Sequence, residues 1–386
     1  MSKRPMPTIV EQIRGVSYKP EDLHDSLDDD SIILLRANNI DGGKINFDDV
    51  VYVDRRCVST TQVLRKGDIL ICASSGSKNL VGKAAQVDFD QECTFGAFCK
   101  VARPREVEDS DYIGLFFQSP QYRRTIAESA IGININNIRN EHIDAMTVSW
   151  PDSQERCSVI STLNALIRII TARQRQLHAL DTLIKARFVE MFDLESCCWS
   201  TFGDTTDFID YRGKTPVLSE TGTIRMINAK SVGKGFFKYI DEYVTEETYN
   251  AWMHRGYGCA GDILFVTEGH TFGNTCLIPQ DLQKFALGQR VITIKGHEGK
   301  ISNAFLSSYM QTDRFWKDIN VFRTGGTAQG IRSKDLVKVQ LPLPAYNLQN
   351  QFAAFVSQVD KSKVVVQEAL NKTQLLFDSL MQQYFG

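Results

Sequence analysis

The 386-residue chain has 42% hydrophobic residues, 23% charged residues and a formal net charge of −2, the make-up of a globular protein long enough for two or three cores. No stretch approaches the ~18 uncharged apolar residues of a membrane span, and the basic start Ser2-Lys3-Arg4 leads into no apolar signal core, so a cytoplasmic protein is expected. Nine cysteines, without a CxxC pair or zinc-like His spacing, read as reduced thiols, and with no charge excess any nucleic-acid surface needs local cationic patches away from acids such as Asp25, Asp28, Asp29 and Asp30.

In chain order, short β-like runs are expected at 31–36, 50–53 and 68–72 among Gly, Asn and Asp turns, followed by helical pieces at 112–118 and 121–128. After Pro151, Asp152 is placed as an N-cap with Glu155 three residues on. The helix it opens carries Leu163, Leu166, Ile170, Leu177, Leu180 and Ile184 at the 3-4 spacing of a coiled-coil seam, interrupted by Arg173 and Arg187. Strands return at 261–266 and 290–294, and a helix is expected over 303–318. Beyond Pro344 a second seam, Val356, Val359, Val366, Leu370, Phe377 and Leu380, keeps the register of the first, with Lys363 and Thr373 as exceptions. Each long helix, at about 37 residues, extends roughly 55 Å.

The second half of the chain repeats the first. Gly67-Asp68-Ile69-Leu70 recurs as Gly261-Asp262-Ile263-Leu264, and Arg36 and Asn39 recur as Arg225 and Asn228. Gln118, Gly132, Ile138-Arg139 and Pro151 recur as Gln311, Gly325, Ile331-Arg332 and Pro344. The expected fold class is therefore α+β: two similar globular domains with curved β-sheets, at 1–150 and 194–345, separated by long helices at 151–193 and 346–386 that pair antiparallel about a pseudo-two-fold axis.

Familiar catalytic patterns fail. Gly256-Tyr257-Gly258-Cys259-Ala260-Gly261 matches GxGxxG but precedes a strand instead of following one. The run 76–83 imitates a phosphate loop with one residue too many, and Ala84 stands where a magnesium-binding hydroxyl belongs. No Pro-Pro dipeptide supports an adenine-methylating motif, and scattered histidines without GxSxG or HExxH leave hydrolysis unsupported. No catalytic residue and no metal ligand is assigned.

What remains are paired polar loops. The first copy has Ser74, Ser75, Lys78 and Asn79 with Lys83, then Asn134, Asn136 and Asn137 before Arg139. The second has Thr267, His270 and Thr271 with Asn274, then Thr324, Thr327 and Gln329 before Arg332. With Arg36, Asn39, Arg225 and Asn228, these are the candidate DNA-binding residues, because short hydrogen-bonding side chains read base edges. A repeated scaffold with differing loops suits two modules that read different sequences. The competing reading is a coiled-coil scaffold that assembles protein partners without a DNA role; a solitary nuclease lacks an evident pair of metal-ligating acids.

The order of globular region, long helix, globular region and Leu341-Pro342-Leu343-Pro344 leading into a second long helix resembles the specificity subunits of type I restriction-modification systems. So do Arg36-Ala37-Asn38-Asn39-Ile40-Asp41-Gly42-Gly43-Lys44-Ile45, Lys66-Gly67-Asp68-Ile69-Leu70 and residues 324–332. The resemblance spans the whole chain. It implies a target recognition domain in each globular region, each reading one half of a bipartite site in double-stranded DNA, with helices that set the spacer and dock two methyltransferase (modification) subunits. It also implies that the chain is no enzyme by itself: S-adenosylmethionine, ATP and Mg2+ belong to the partner subunits, including the restriction/translocase subunits. The first copy departs at Val148-Ser149-Trp150-Pro151, which replaces the Leu-Pro-Leu-Pro form, and at Ile133 and Asn137, which replace two glycines.

Overall fold

The computed structural model describes residues 2–77, 80–129, 136–211, 216–323 and 329–386. The chain divides into two compact units, Met1–Gln174 with Glu368–Gly386, and Arg175–Gln367. Each long helix thus gives one half to each unit.

In the first unit the strand Ile69–Cys72 lies between Ala84–Gln86 and Cys99–Pro104 in an antiparallel sheet closed by Val10–Arg14. Alternate side chains of a strand point to opposite faces. Leu70 and Cys72 pack with Ile33, Leu35 and Phe95 of a second sheet, while Ile69 and Ile71 pack with Tyr112, Phe116, Phe117 and Tyr122 of the helices Ser110–Phe117 and Pro120–Ser129. A strand covered on both faces calls for an unbroken apolar run, hence Ile-Leu-Ile-Cys. The second sheet runs Cys93–Phe95, Ser31–Leu35, Val51–Asp54, Leu23–His24, its first pair parallel. The turn into the central strand explains the preceding Gly-Asp: Gly67 sits at φ 91°, and the Asp68 carboxylate accepts the Arg65 N–H at 2.8 Å.

The second unit repeats this plan. Ile263–Val266 lies between Thr275–Leu277 and Val291–Gly296, with Thr206–Asp210 at the edge. Its second sheet is Phe285–Leu287, Ile224–Ile227, Tyr243–Val244, again with the first pair parallel. Gly261 sits at φ 84°, and Asp262 accepts the Cys259 N–H at 2.8 Å. In both units a short strand ahead of the long helix is tied back to an early strand: Thr147–Trp150 to Ser2–Pro5, and Gln340–Leu343 to Cys198–Thr201.

The helix expected over 303–318 is in fact two, Asn303–Tyr309 and Asp313–Asn320. Thr312 ends the continuity, because its Oγ1 accepts the Phe315 N–H at 3.3 Å and caps the second helix.

The first long helix, Ser153–Met191, has 39 residues and opens as expected, with the Glu155 N–H donating to Asp152 Oδ1 at 2.8 Å. In the first unit its Val159 and Leu163 are buried with Met381 and Phe385 of the second long helix, Tyr346–Phe385. Leu166, Ile170, Leu370, Phe377 and Leu380 are half-buried there. In the second unit Val356, Val359 and Val366 are buried and Leu177, Leu180 and Ile184 half-buried. Phe188 meets Phe352 with ring centres 5.6 Å apart, and Asp181 meets the seam exception Lys363 at 2.7 Å. One number falls as the other rises, so the helices are antiparallel.

Each helix leaves its sheet through one polar latch. Arg156 donates to Pro151 O and to Asp109, both at 2.8 Å. The duplicate position, Gln349, is fully buried; it accepts the Ser302 N–H at 2.8 Å and donates to Pro344 O at 2.8 Å and Lys300 O at 3.1 Å. Among the described residues no helix is long and apolar enough to cross a membrane, and no group of His, Cys, Asp and Glu could hold a metal ion.

Candidate nucleic-acid interface

In both units the loop after the central strand meets the segment before the Ile-Arg pair. In the first, Ser74–Ser75 pairs antiparallel with Asn136–Asn137, and the Ile138 N–H donates to Ala73 O at 2.8 Å. In the second, Glu268 bridges Gly330, the Gly269 N–H donates to Gln329 O at 3.0 Å, and the Ile331 N–H donates to Thr267 O at 2.9 Å. Buried Ile138 and Ile331 anchor the crossing, leaving Arg139 and Arg332 exposed one residue on.

A left-handed glycine closes each loop against a helix behind it. Gly82 has φ 78° and donates to Cys72 O at 2.9 Å; a Cβ there would stand 2.5 Å from Ile126 Cγ2. Gly273, at φ 81°, donates to Val266 O at 2.9 Å and backs onto the Trp316 ring.

Of the residues singled out from sequence, the first unit brings together Ser74 and Ser75, half-buried, with exposed Asn137 and Arg139. The second brings together His270, Gln329 and Arg332, all exposed, with half-buried Thr271. Lys78, Asn79, Asn134, Thr324 and Thr327 lie outside the described residues, and Asn136 is placed by its backbone.

The other candidates make contacts within the scaffold, and two of them, Asn39 and Thr267, are buried, which corrects the expectation that their side chains face DNA. Asn39 is 0% exposed; it accepts the Arg36 N–H at 2.8 Å and donates to Asn46 O and Asp49 O, both at 3.1 Å. Arg36 itself is tied to Asp49 at 2.8 Å. Asn228 accepts the Lys230 N–H at 2.9 Å and donates to Glu242, while Arg225 donates to Tyr243 Oη at 2.8 Å and lies over that ring. Both copies make the same turn after a strand, but with shifted residues: Asn39 accepts the Arg36 N–H where Ser231 accepts the Asn228 N–H, so Asn228 stands at the position of Arg36 and Arg225 lies within the strand before it. Thr267 is 2% exposed and donates to Arg290 O at 3.3 Å. Asn274 donates to Val232 O at 3.0 Å, and Lys83 sits at the loop base, 3.7 Å from Asp41.

A third turn, missed from sequence, joins each pair of loops. Phe98 O accepts the Ala73 and Ser74 N–H groups at 2.9 and 3.0 Å, and Arg290 O accepts the Thr267 N–H at 3.0 Å. The Arg290 guanidinium lies 3.3 Å from Glu268. The signal available was a further repeat, Gly96-Ala97-Phe98 against Gly288-Gln289-Arg290. Adjoining Arg139, Asn140 accepts from buried Lys100 at 2.7 Å, whose ammonium burial pulls down to about 8. The acids that would repel phosphate are placed elsewhere: Asp25, Asp28, Asp29 and Asp30 precede Ser31–Leu35, and Asp28 and Asp29 line a hollow with Arg55 and Glu92 where the parallel strands Ser31–Leu35 and Cys93–Phe95 begin, whereas Phe98 lies past the end of the latter. Asp28 pairs with His24 at 2.9 Å.

Residues 204–373 match the family model described as the type I restriction modification DNA specificity domain. Residues 204–373 therefore carry a domain of this specificity family. It is 36% identical over 181 residues to the StySPI type I specificity subunit of Salmonella potsdam and, over the same length, to the EcoKI specificity subunit of Escherichia coli K12. These matches take in 47% of this chain and 39% of each relative, so the chain matches about two fifths of the length of those specificity subunits. In fold it is similar to the S subunit of a type I restriction-modification system from M. genitalium, with a TM-score of 0.57 at 14% identity over 100% of this chain and 96% of that one. A second similar structure, solved to describe complex assembly and conformational transition of a type I system, gives a TM-score of 0.52 at 14% identity, over 100% and 97% of the two chains. Residues 1–174 of the first unit lie outside the specificity-domain match, yet their sheets keep the strand order of the second unit with one more strand, Leu23–His24, at an edge.

Proposed function

We propose that this chain is the sequence-reading subunit of a type I restriction-modification complex, in which each unit reads one half of a bipartite site in double-stranded DNA and the chain itself does no chemistry. The observation that carries this reading is that the same two loops meet on the same scaffold in both units yet carry different groups: Ser74, Ser75, Asn137 and Arg139 in one, Glu268, His270, Gln329 and Arg332 in the other. Hydroxyl and amide groups suit base edges, and an exposed arginine suits guanine or phosphate.

The long helices set the spacer between half-sites and dock two methyltransferase subunits. Support comes from apolar side chains that face away from the seam, Leu375 and Leu376 in the first unit and Val189, Val364 and Val365 in the second, all exposed. S-adenosylmethionine is then held by the methyltransferase subunits, and ATP and Mg2+ by restriction/translocase subunits, with the cytoplasm as the setting.

Paired variants test the reading. In complex with the methyltransferase, Arg139→Ala is expected to lower methylation of the specific duplex about 10- to 100-fold, with discrimination relaxed in one half-site only. Arg332→Ala acts likewise on the other half. Wild-type rates and base preferences in both variants contradict the reading and favour a protein-interaction scaffold.

A further inference from the structure

The turn at 96–98 carries a group that the loops above leave unused. Phe98 is 70% exposed, at the turn between Cys93–Phe95 and Cys99–Pro104. Leaving a phenylalanine ring in water forgoes the stabilisation its burial would bring, whereas Phe95, Phe116 and Phe117 of the same unit are buried. Its backbone is held firmly, since its carbonyl takes the Ala73 and Ser74 N–H groups at 2.9 and 3.0 Å. The Phe98 backbone therefore lies beside the start of the Ser74–Ser75 loop, and its ring is exposed there.

The duplication supplies a comparison within the chain. Cys99 pairs with Cys72 as Val291 pairs with Val266, so Arg290 occupies in the second unit the slot that Phe98 occupies in the first. The backbone hydrogen bond to the central strand's end is kept, and the side chain changes from an aromatic ring to a cation. Constant backbone with changed chemistry is what the two flanking loops also show.

We infer that Phe98 determines specificity in the half-site read by the first unit, by packing against a thymine 5-methyl group in the major groove. The inference rests on the proposed DNA-reading function. A phenyl ring neither donates nor accepts the hydrogen bonds that distinguish guanine, cytosine and adenine there, and the thymine methyl is the apolar group displayed in that groove.

The test uses the complex with its methyltransferase and duplexes randomised in one half-site at a time. The wild type selects thymine at one position of the first unit's half, and deoxyuridine in its place, which lacks only the methyl, weakens binding about fourfold, the effect of one buried methyl group. Phe98→Ala binds thymine and deoxyuridine equally at that position and keeps its preferences elsewhere in both halves; Phe98→Leu, still apolar, keeps the thymine preference. Unchanged preferences at the other positions of the first half show that the first unit of Phe98→Ala is folded. A wild type indifferent to deoxyuridine throughout that half, or a Phe98→Ala protein that still discriminates, overturns this inference and leaves the reading function standing. Absence of sequence preference in either half of the wild type is the separate failure of the reading function.

Discussion

Replacing Arg103 with methionine is expected to destabilise the first unit by about 3–5 kcal/mol, the cost of leaving a buried charge without its partner. Asp68 is 1% exposed, and Arg103 grips both of its oxygens, through Nε at 2.8 Å and Nη2 at 2.7 Å. The same guanidinium donates to Thr61 O at 3.1 Å and Val63 O at 2.9 Å, so the substitution strands two carbonyls as well as the carboxylate. Asp68→Asn in the Arg103→Met background removes the buried charge while keeping an acceptor for the Arg65 N–H, and it is expected to recover a large part of the loss. The second unit serves as an internal control. Among the described residues its Asp262 has no arginine partner; burial raises its pKa, and Lys295, at the position of Arg103, acts on it only through charge at a distance. Lys295→Met should therefore shift the second unit by less than about 1 kcal/mol. Urea unfolding followed by hydrogen exchange, which assigns each transition to its unit, measures both values.

Phe352→Ala is the second large effect, at about 3–5 kcal/mol, lost from the second unit. Phe352 is fully buried in a knot of four rings. Its centre lies 5.6 Å from Phe188 and 5.4 Å from Phe192, and Phe305 closes the knot at 5.5 and 4.7 Å from the same two rings. This knot fastens both long helices to the helix Asn303–Tyr309, so the cavity loosens three elements at once. Hydrogen exchange over 346–360 is expected to accelerate together with the fall in stability. Phe352→Leu, which keeps most of the volume, should cost less than about 1.5 kcal/mol.

Much of this architecture was legible in the sequence because its signals are local. The 3-4 seam reports which face of each long helix is covered, and Asp152 with Glu155 marks where the first begins. The Gly-Asp-Ile-Leu repeat was visible because it packs three constraints together: a left-handed glycine, a carboxylate that closes the turn, and a strand buried on both faces. Pairings between distant segments leave no such trace. Ser2–Pro5 is exposed along its whole length and is a strand only because Thr147–Trp150 lies beside it. The polar repeats were ambiguous for a related reason: Asn39 and Asn228 match in sequence yet take different places in the turn, the last residue of one short helix and the N-cap of the other, whereas Arg139 and Arg332 recur in equivalent exposed positions. Phe98 was invisible as a site residue because an apolar residue between two strands reads as core until its exposure is known.

The central claim is that each unit reads its own half-site. Exchange of residues 1–150 for the corresponding region of another specificity subunit, followed by mapping of methylated adenines in duplexes modified by the complex, tests it most directly. The result predicted is a hybrid site in which one half is new and the other half, with its distance to the first, is kept. Methylation at the original site in full, or a change in both halves, contradicts the account.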